Sequence, residues 1–207
     1  MALFFTSLCW CCSVHIDKLT NKISEYSAEE FELLLQLDVL KSKKRIYDVL
    51  LKIQDVFSVQ IFFIILANVF MCSSVIGGIL IRNFGEFDQF IQLDYMYYLI
   101  NSISCVVITL WIVGLIPIEM KKFQQRFYDK THERLLLRYS TVQELHLKID
   151  FYNEPDFVMT GCDILPLRRS TVLALIGTLF TYTILLVDTN MPGKVNNLNQ
   201  SNIGTTA

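Results

Sequence analysis

The chain has 207 residues, of which 53% are apolar and 18% charged, with a formal net charge of −2 and a mean hydropathy of +0.42. That is too oily for an ordinary soluble domain of this size. The near-neutral charge gives no basic footprint, so nucleic acid is excluded as an expected partner.

In chain order, the first element is 1–13, apolar and uncharged. As a helix it is about 20 Å long, short of a full span. The basic residues follow it from Lys18 onward, whereas a signal peptide carries them in front of its apolar core. Segment 1–13 is therefore read as the remnant of a transmembrane helix. Segment 14–56 carries helical periodicity, with Ile16, Leu19, Ile23 and Tyr26 on one face and Ile46, Val49, Leu50, Ile53 and Val56 on another.

Segment 57–81 then runs 25 residues without a charge, and 95–118 runs 24. Each exceeds the roughly 20 residues needed to cross about 30 Å of hydrocarbon. Between them lies a short connection, 82–94. Segment 119–169 is read as a helical loop with an apolar stripe at Leu135, Val142, Leu145, Ile149 and Tyr152. Segment 170–187 is a third uncharged run of 18 residues, opened by Arg168 and Arg169 and closed by Asp188. The tail is 188–207. An all-α, polytopic transmembrane protein is the predicted fold class.

Lys and Arg divide unevenly among the flanks: seven in 14–56, one in 82–94, nine in 119–169 and one in 188–207. Positive charge stays on the cytoplasmic side, so 14–56 and 119–169 are expected inside. The 82–94 connection and the C-terminus are then extracellular. The sequon Asn199-Gln200-Ser201 in that tail makes Asn199 a candidate glycosylation site.

His15, His132 and His146 lack a His or Cys partner at the one-turn spacing that holds a metal, so neither a metal site nor a cofactor is predicted. No glycine-rich phosphate loop or nucleophile elbow is present, and nothing points to an enzyme.

Successive residues of a helix lie 100° apart, which gives 170–187 two faces. Ser170, Thr171, Ala174, Gly177, Thr178, Thr181, Leu185 and Asp188 fall within an arc of about 120°. Val172, Leu173, Ile176, Leu179, Phe180, Ile184, Leu186 and Val187 lie outside it. A small, polar face of this kind suits either close helix–helix contact or a water-lined path.

The stretch from Asp156 through Thr160-Gly161-Cys162-Asp163-Ile164-Leu165-Pro166 to Ser170, leading into Ile176-Gly177-Thr178-Leu179-Phe180-Thr181-Tyr182, resembles the C-terminal region of insect gustatory receptors. That family's last helix carries a Thr-Tyr pair, five hydrophobic residues and then Gln-Phe. Here the pair is Thr181-Tyr182, the spacing is kept, and Asp188-Thr189 replaces Gln-Phe. The helix around Gln143-Glu144-Leu145-His146-Leu147 is similar to the family's segment before its last span.

The resemblance implies the C-terminal part of a seven-helix, inverted-topology chemoreceptor bundle. Segments 57–81, 95–118 and 170–187 would be spans five, six and seven, with 1–13 the rest of span four. It further implies a subunit of a ligand-gated, non-selective cation channel in the plasma membrane of chemosensory neurons, opened by a small-molecule tastant. The subunit would assemble, surrounded by membrane lipid, as a homo- or hetero-tetramer with other receptor subunits. Thr178, Thr181, Leu185, Asp188 and Thr189 become the candidate pore-lining residues, and residues on 62–75 and 97–109 one wall of a ligand pocket. Two other readings remain: an insect odorant receptor subunit, and a small three-span membrane protein without channel activity.

Overall fold

The computed structural model of the chain describes residues 1–82, 89–137 and 157–190. Within them are α1 (Ala2–Glu25), α2 (Leu33–Arg82), α3 (Gln89–Val113), α4 (Leu115–Leu136), the two-residue strands β1 (Thr160–Gly161) and β2 (Leu165–Pro166), and α5 (Arg169–Asn190). The protein is mostly helical. Three segments, Leu33–Ile79, Gln89–Leu136 and Arg169–Thr189, are long and apolar enough to cross a bilayer, which makes this a membrane-embedded protein.

The chain forms two compact units: Met1–Phe62 with Thr109–Arg169, and Phe63–Ile108 with Ser170–Ala207.

In the first unit α1 packs along α4. The reason lies in matched stripes. On α1, Phe5, Cys9, Cys12, Ile16 and Ile23 are buried at steps of three, four or seven, and Ile116, Met120, Phe123 and Phe127 repeat that spacing on α4. Phe5, Ile16, Phe123 and Phe127 are at most 1% exposed, and each burial contributes about 1.5–3 kcal/mol. The 1–13 segment is thus the first half of one continuous helix whose buried stripe runs past it to Ile23.

A single helical turn joins α1 to α2, closed by a reciprocal box. The Ser27 N–H donates to Glu30 Oε2 at 3.1 Å, and the Glu30 N–H donates to Ser27 Oγ at 3.2 Å. These bonds, backbone first, hold the Glu30 carboxyl below its usual range. Arg134, 8% exposed, donates from Nη1 to the carbonyls of Ala28 at 3.2 Å and Glu29 at 2.8 Å. Phe31 then packs edge-on to Phe127 at 5.6 Å. The C-terminal half of α4 is therefore tied to the turn that joins α1 to α2.

α2 continues unbroken from the basic stretch into the apolar one, as the stripe ending in Ile53 and Val56 predicted. Of that stripe, Leu50 and Ile53 are buried, whereas Val49 and Val56 are exposed.

The 95–118 run is interrupted near its end. Pro117 lacks the N–H that would bond the Val113 carbonyl, and the break falls at Gly114. A Cβ at Gly114 would lie 2.8 Å from Arg169 Cγ, 2.9 Å from Arg169 N and 2.9 Å from Leu110 O, so only glycine fits. The Arg169 guanidinium sits over the Trp111 ring at 4.2 Å.

Segment 119–169, read from sequence as helical, also contains the β1–β2 hairpin. Cys162 and Asp163 both take positive φ, 53° and 55°, and the Ile164 N–H donates to Gly161 O at 3.1 Å. That is the geometry of a tight primed turn. The stripe residues Val142, Leu145, Ile149 and Tyr152 lie outside the described residues, as do 83–88 of the 82–94 connection and Asn199 in the tail.

In the second unit Ile65, Cys72 and Val75 of α2 are buried, as are Ser102 and Val106 of α3 and Thr171 of α5. The polar side chain Asn68 stays satisfied in this apolar setting, since its Nδ2 donates to Ile64 O at 2.7 Å and points at Cys105 Sγ at 3.8 Å.

Candidate functional site

α5 forms because its residues are apolar enough to be helical in hydrocarbon, where every backbone group must bond internally. Its threonines do not disturb this. Each hydroxyl donates to a carbonyl one turn back: Thr178 to Ala174 O, Thr181 to Gly177 O and Thr183 to Leu179 O, all at 2.8–2.9 Å. Thr189 donates to both Leu185 O and Leu186 O, at 3.0 and 3.1 Å.

Within its unit, α5 packs through Val172, Leu175, Leu179, Thr183 and Leu186, all half-buried. Counting 100° per residue, that stripe points roughly 140° away from the small, polar arc. Ser170, Ala174, Gly177, Thr178, Thr181, Leu185 and Asp188 are accordingly exposed. Thr171, at the edge of the arc, is the exception and is buried. Nothing lies within 4 Å of the position a Cβ would take at Gly177. The five candidate pore-lining residues, Thr178, Thr181, Leu185, Asp188 and Thr189, thus share one exposed side of α5.

Tyr182 does something different from its neighbour Thr181. Its hydroxyl oxygen lies 3.6 Å from where a Cβ would stand on Gly77, so the tyrosine packs across the glycine on α2. The two signature residues therefore separate: Thr181 faces away from α2, while Tyr182, still 38% exposed, reaches across to it.

Of the apolar face, only part turns inward. Leu173, Ile176, Phe180 and Ile184 are more than half exposed, forming a third sector suited to lipid.

Where α5 packs in its unit, it helps to bound a cavity of about 260 Å³, with Val69, Cys72 and Ile76 on α2 and Ile103, Val106 and Val107 on α3. The α2 and α3 walls fall mainly in the 62–75 and 97–109 segments expected from the sequence. Thr183 is the one hydroxyl in the lining, and it is engaged by its own helix. The cavity is apolar. For scale, engineered apolar cavities of about 150 Å³ admit benzene.

A feature that sequence reasoning missed lies in the first unit. The β1–β2 hairpin docks on α2 through one hydroxyl: Ser58 Oγ donates to Thr160 O at 3.1 Å and accepts from the Cys162 N–H at 2.8 Å. Gln54 Nε2 adds a bond to Thr160 Oγ1 at 3.2 Å, and Thr160 Oγ1 donates to Asp163 Oδ1 at 2.9 Å. A Cβ on Gly161 would stand 3.3 Å from Phe62 Cβ, so the glycine permits close approach. The signal was present in Gly161, Asp163 and Pro166, three residues that break a helix within six positions.

Among the described residues no group of His, Cys, Asp or Glu is placed to hold a metal ion. No family model matches the chain, and no curated protein matches its sequence.

Proposed function

We propose that this chain is a subunit of a ligand-gated, non-selective cation channel of the insect gustatory receptor type, detecting small apolar tastants at the plasma membrane. In this reading its spans belong to a seven-helix inverted bundle, the 14–56 and 119–169 segments are cytoplasmic, and the C-terminus is extracellular. Subunits assemble as homo- or hetero-tetramers.

The observation that carries the proposal is the exposed polar side of α5. Glycine and hydroxyl-bearing residues facing away from a helix's own unit gain nothing from lipid tails, but they fit a neighbouring helix or a column of water. A ring of Asp188 carboxylates from several copies would attract cations. The apolar cavity beside α5 supports a small hydrophobic ligand.

Whole-cell recording tests this. In a seven-helix receptor that carries this chain as its C-terminal part, a panel of apolar tastants should evoke a cation current, and Asp188→Asn should weaken its preference for cations over anions. Cells expressing the 207 residues alone should give no tastant-evoked current. Absence of any current from the seven-helix receptor, a preference indifferent to Asp188→Asn, or a tastant-evoked current from the 207 residues alone contradicts this reading.

One observation favours a second reading, a membrane protein that packs without conducting. The Thr178, Thr181 and Thr189 hydroxyls are already bonded to their own helix and do not require water.

A further inference from the structure

In the first unit α1 and the start of α2 run antiparallel, since Phe5 meets Phe57 at 5.7 Å while Cys12 and Val49 line one cleft further along. The cleft measures about 600 Å³. Its α1 wall carries His15, Lys18 and Lys22, at i, i+3 and i+7, and therefore on one helix face. Its α2 wall carries Ser42 and Arg45, again one turn apart.

No carboxylate lines the cleft. Asp17, on the adjoining part of α1, accepts instead from Asn21 Nδ2 at 3.3 Å. Lys18, Lys22 and Arg45 enter no ion pair among the described residues. Three cations and a hydroxyl around one space, without a counter-charge, repel one another and favour a multiply charged anion.

We propose that this cleft binds a phosphomonoester, a group that carries −1.5 to −2 charges near neutral pH and three acceptor oxygens. Lys18, Lys22 and Arg45 supply charge and donors, and Ser42 adds a hydroxyl. The shared chemistry admits two sources: the headgroup of an inositol phospholipid in the adjoining leaflet, or a soluble inositol phosphate.

Geometry restricts the first source. Val49 lies eight residues before Phe57, or about 12 Å along the helix, whereas the interfacial zone on each side of the hydrocarbon is only about 5–7 Å deep. A headgroup must project beyond the ordinary phosphodiester level to reach the cations, as a phosphorylated inositol ring does and a serine headgroup does not. The proposal is independent of the channel reading.

The test reconstitutes the full chain in phosphatidylcholine nanodiscs that contain phosphatidylinositol bisphosphate or, at equal total charge, phosphatidylserine, with retained lipid measured by native mass spectrometry. A second arm titrates inositol trisphosphate onto the chain in plain phosphatidylcholine discs. Each of Lys18→Ala, Lys22→Ala and Arg45→Ala should weaken binding about fivefold, the triple variant by about a hundredfold. Lys41→Ala, on the same basic stretch but outside the cleft, should leave it unchanged.

These side chains lie at the helix surface, and circular dichroism checks that each variant stays helical. Variant-sensitive retention of the bisphosphate lipid assigns the headgroup, and variant-sensitive binding of inositol trisphosphate alone assigns the soluble source. Equal retention of phosphatidylserine, no binding of either probe, or indifference to the triple variant would overturn the proposal.

Discussion

The two units are held by different kinds of contact. In the first, polar groups far apart in sequence find each other: Arg134 caps the turn at Ala28 and Glu29, and Ser58 ties down the first strand and the turn of the 160–166 hairpin. In the second, polar side chains mostly bond within their own helix, as Asn68, Thr178, Thr181 and Thr183 do, and packing is apolar. The first unit is specified by partners, the second by hydropathy. A helix of the second kind can leave a whole side unmatched, as α5 does.

The same substitution at two glycines should divide the units most sharply. At Gly114 an alanine Cβ meets backbone atoms at 2.9 Å that cannot rotate away, and Gly114→Ala is expected to destabilise by about 3 kcal/mol. At Gly77 the nearest atom is the Tyr182 hydroxyl at 3.6 Å, an ordinary contact, so Gly77→Ala should be neutral or gain about 0.5 kcal/mol from helix propensity. Thermal unfolding in detergent reads both, and equal shifts would break the contrast.

Next in size are the long-range polar ties. Arg134→Ala should cost about 2–3 kcal/mol, since it leaves the buried Ala28 carbonyl and the part-buried Glu29 carbonyl without their charged donor. Ser58→Ala should cost about 1–2 kcal/mol by releasing the hairpin, visible as faster amide exchange at Cys162. Thr181→Val, by contrast, should leave the unfolding midpoint nearly unchanged, because its hydroxyl bonds only within α5.

What was legible in the sequence follows the same division. Uncharged runs located the three apolar segments, because hydrophobicity alone decides whether a stretch can enter a bilayer. The arc on 170–187 was legible too, since helical periodicity determines which side chains share a face. Its orientation was not. Val172 and Leu179 turn inward while Leu173 and Phe180 stay exposed, although all four are equally apolar, and only packing on the neighbouring helices distinguishes them. The hairpin was likewise hidden, because its strands are two residues long and depend on Gln54 and Ser58, about a hundred positions away.

The smallest expected effect is electrostatic. Ser27→Ala removes a side-chain bond that lowers the Glu30 pKa, which should rise toward its ordinary value of 4.5. A depressed carboxyl pKa stabilises the fold above the unfolded value, and that contribution is lost as pH falls through the folded value. The wild-type chain should therefore keep the turn at mildly acidic pH that loosens it in the variant, a difference that carboxyl ¹³C titration by NMR resolves.

The central claim is that the small, polar side of α5 meets protein or water and not lipid. Spin labels placed singly at Leu173, Thr178, Phe180 and Thr181 of the nanodisc-embedded chain, read for collision with oxygen, test it most directly. Labels at Leu173 and Phe180 should collide freely with lipid-dissolved oxygen, and those at Thr178 and Thr181 much less. Equal oxygen access at all four positions would contradict the claim.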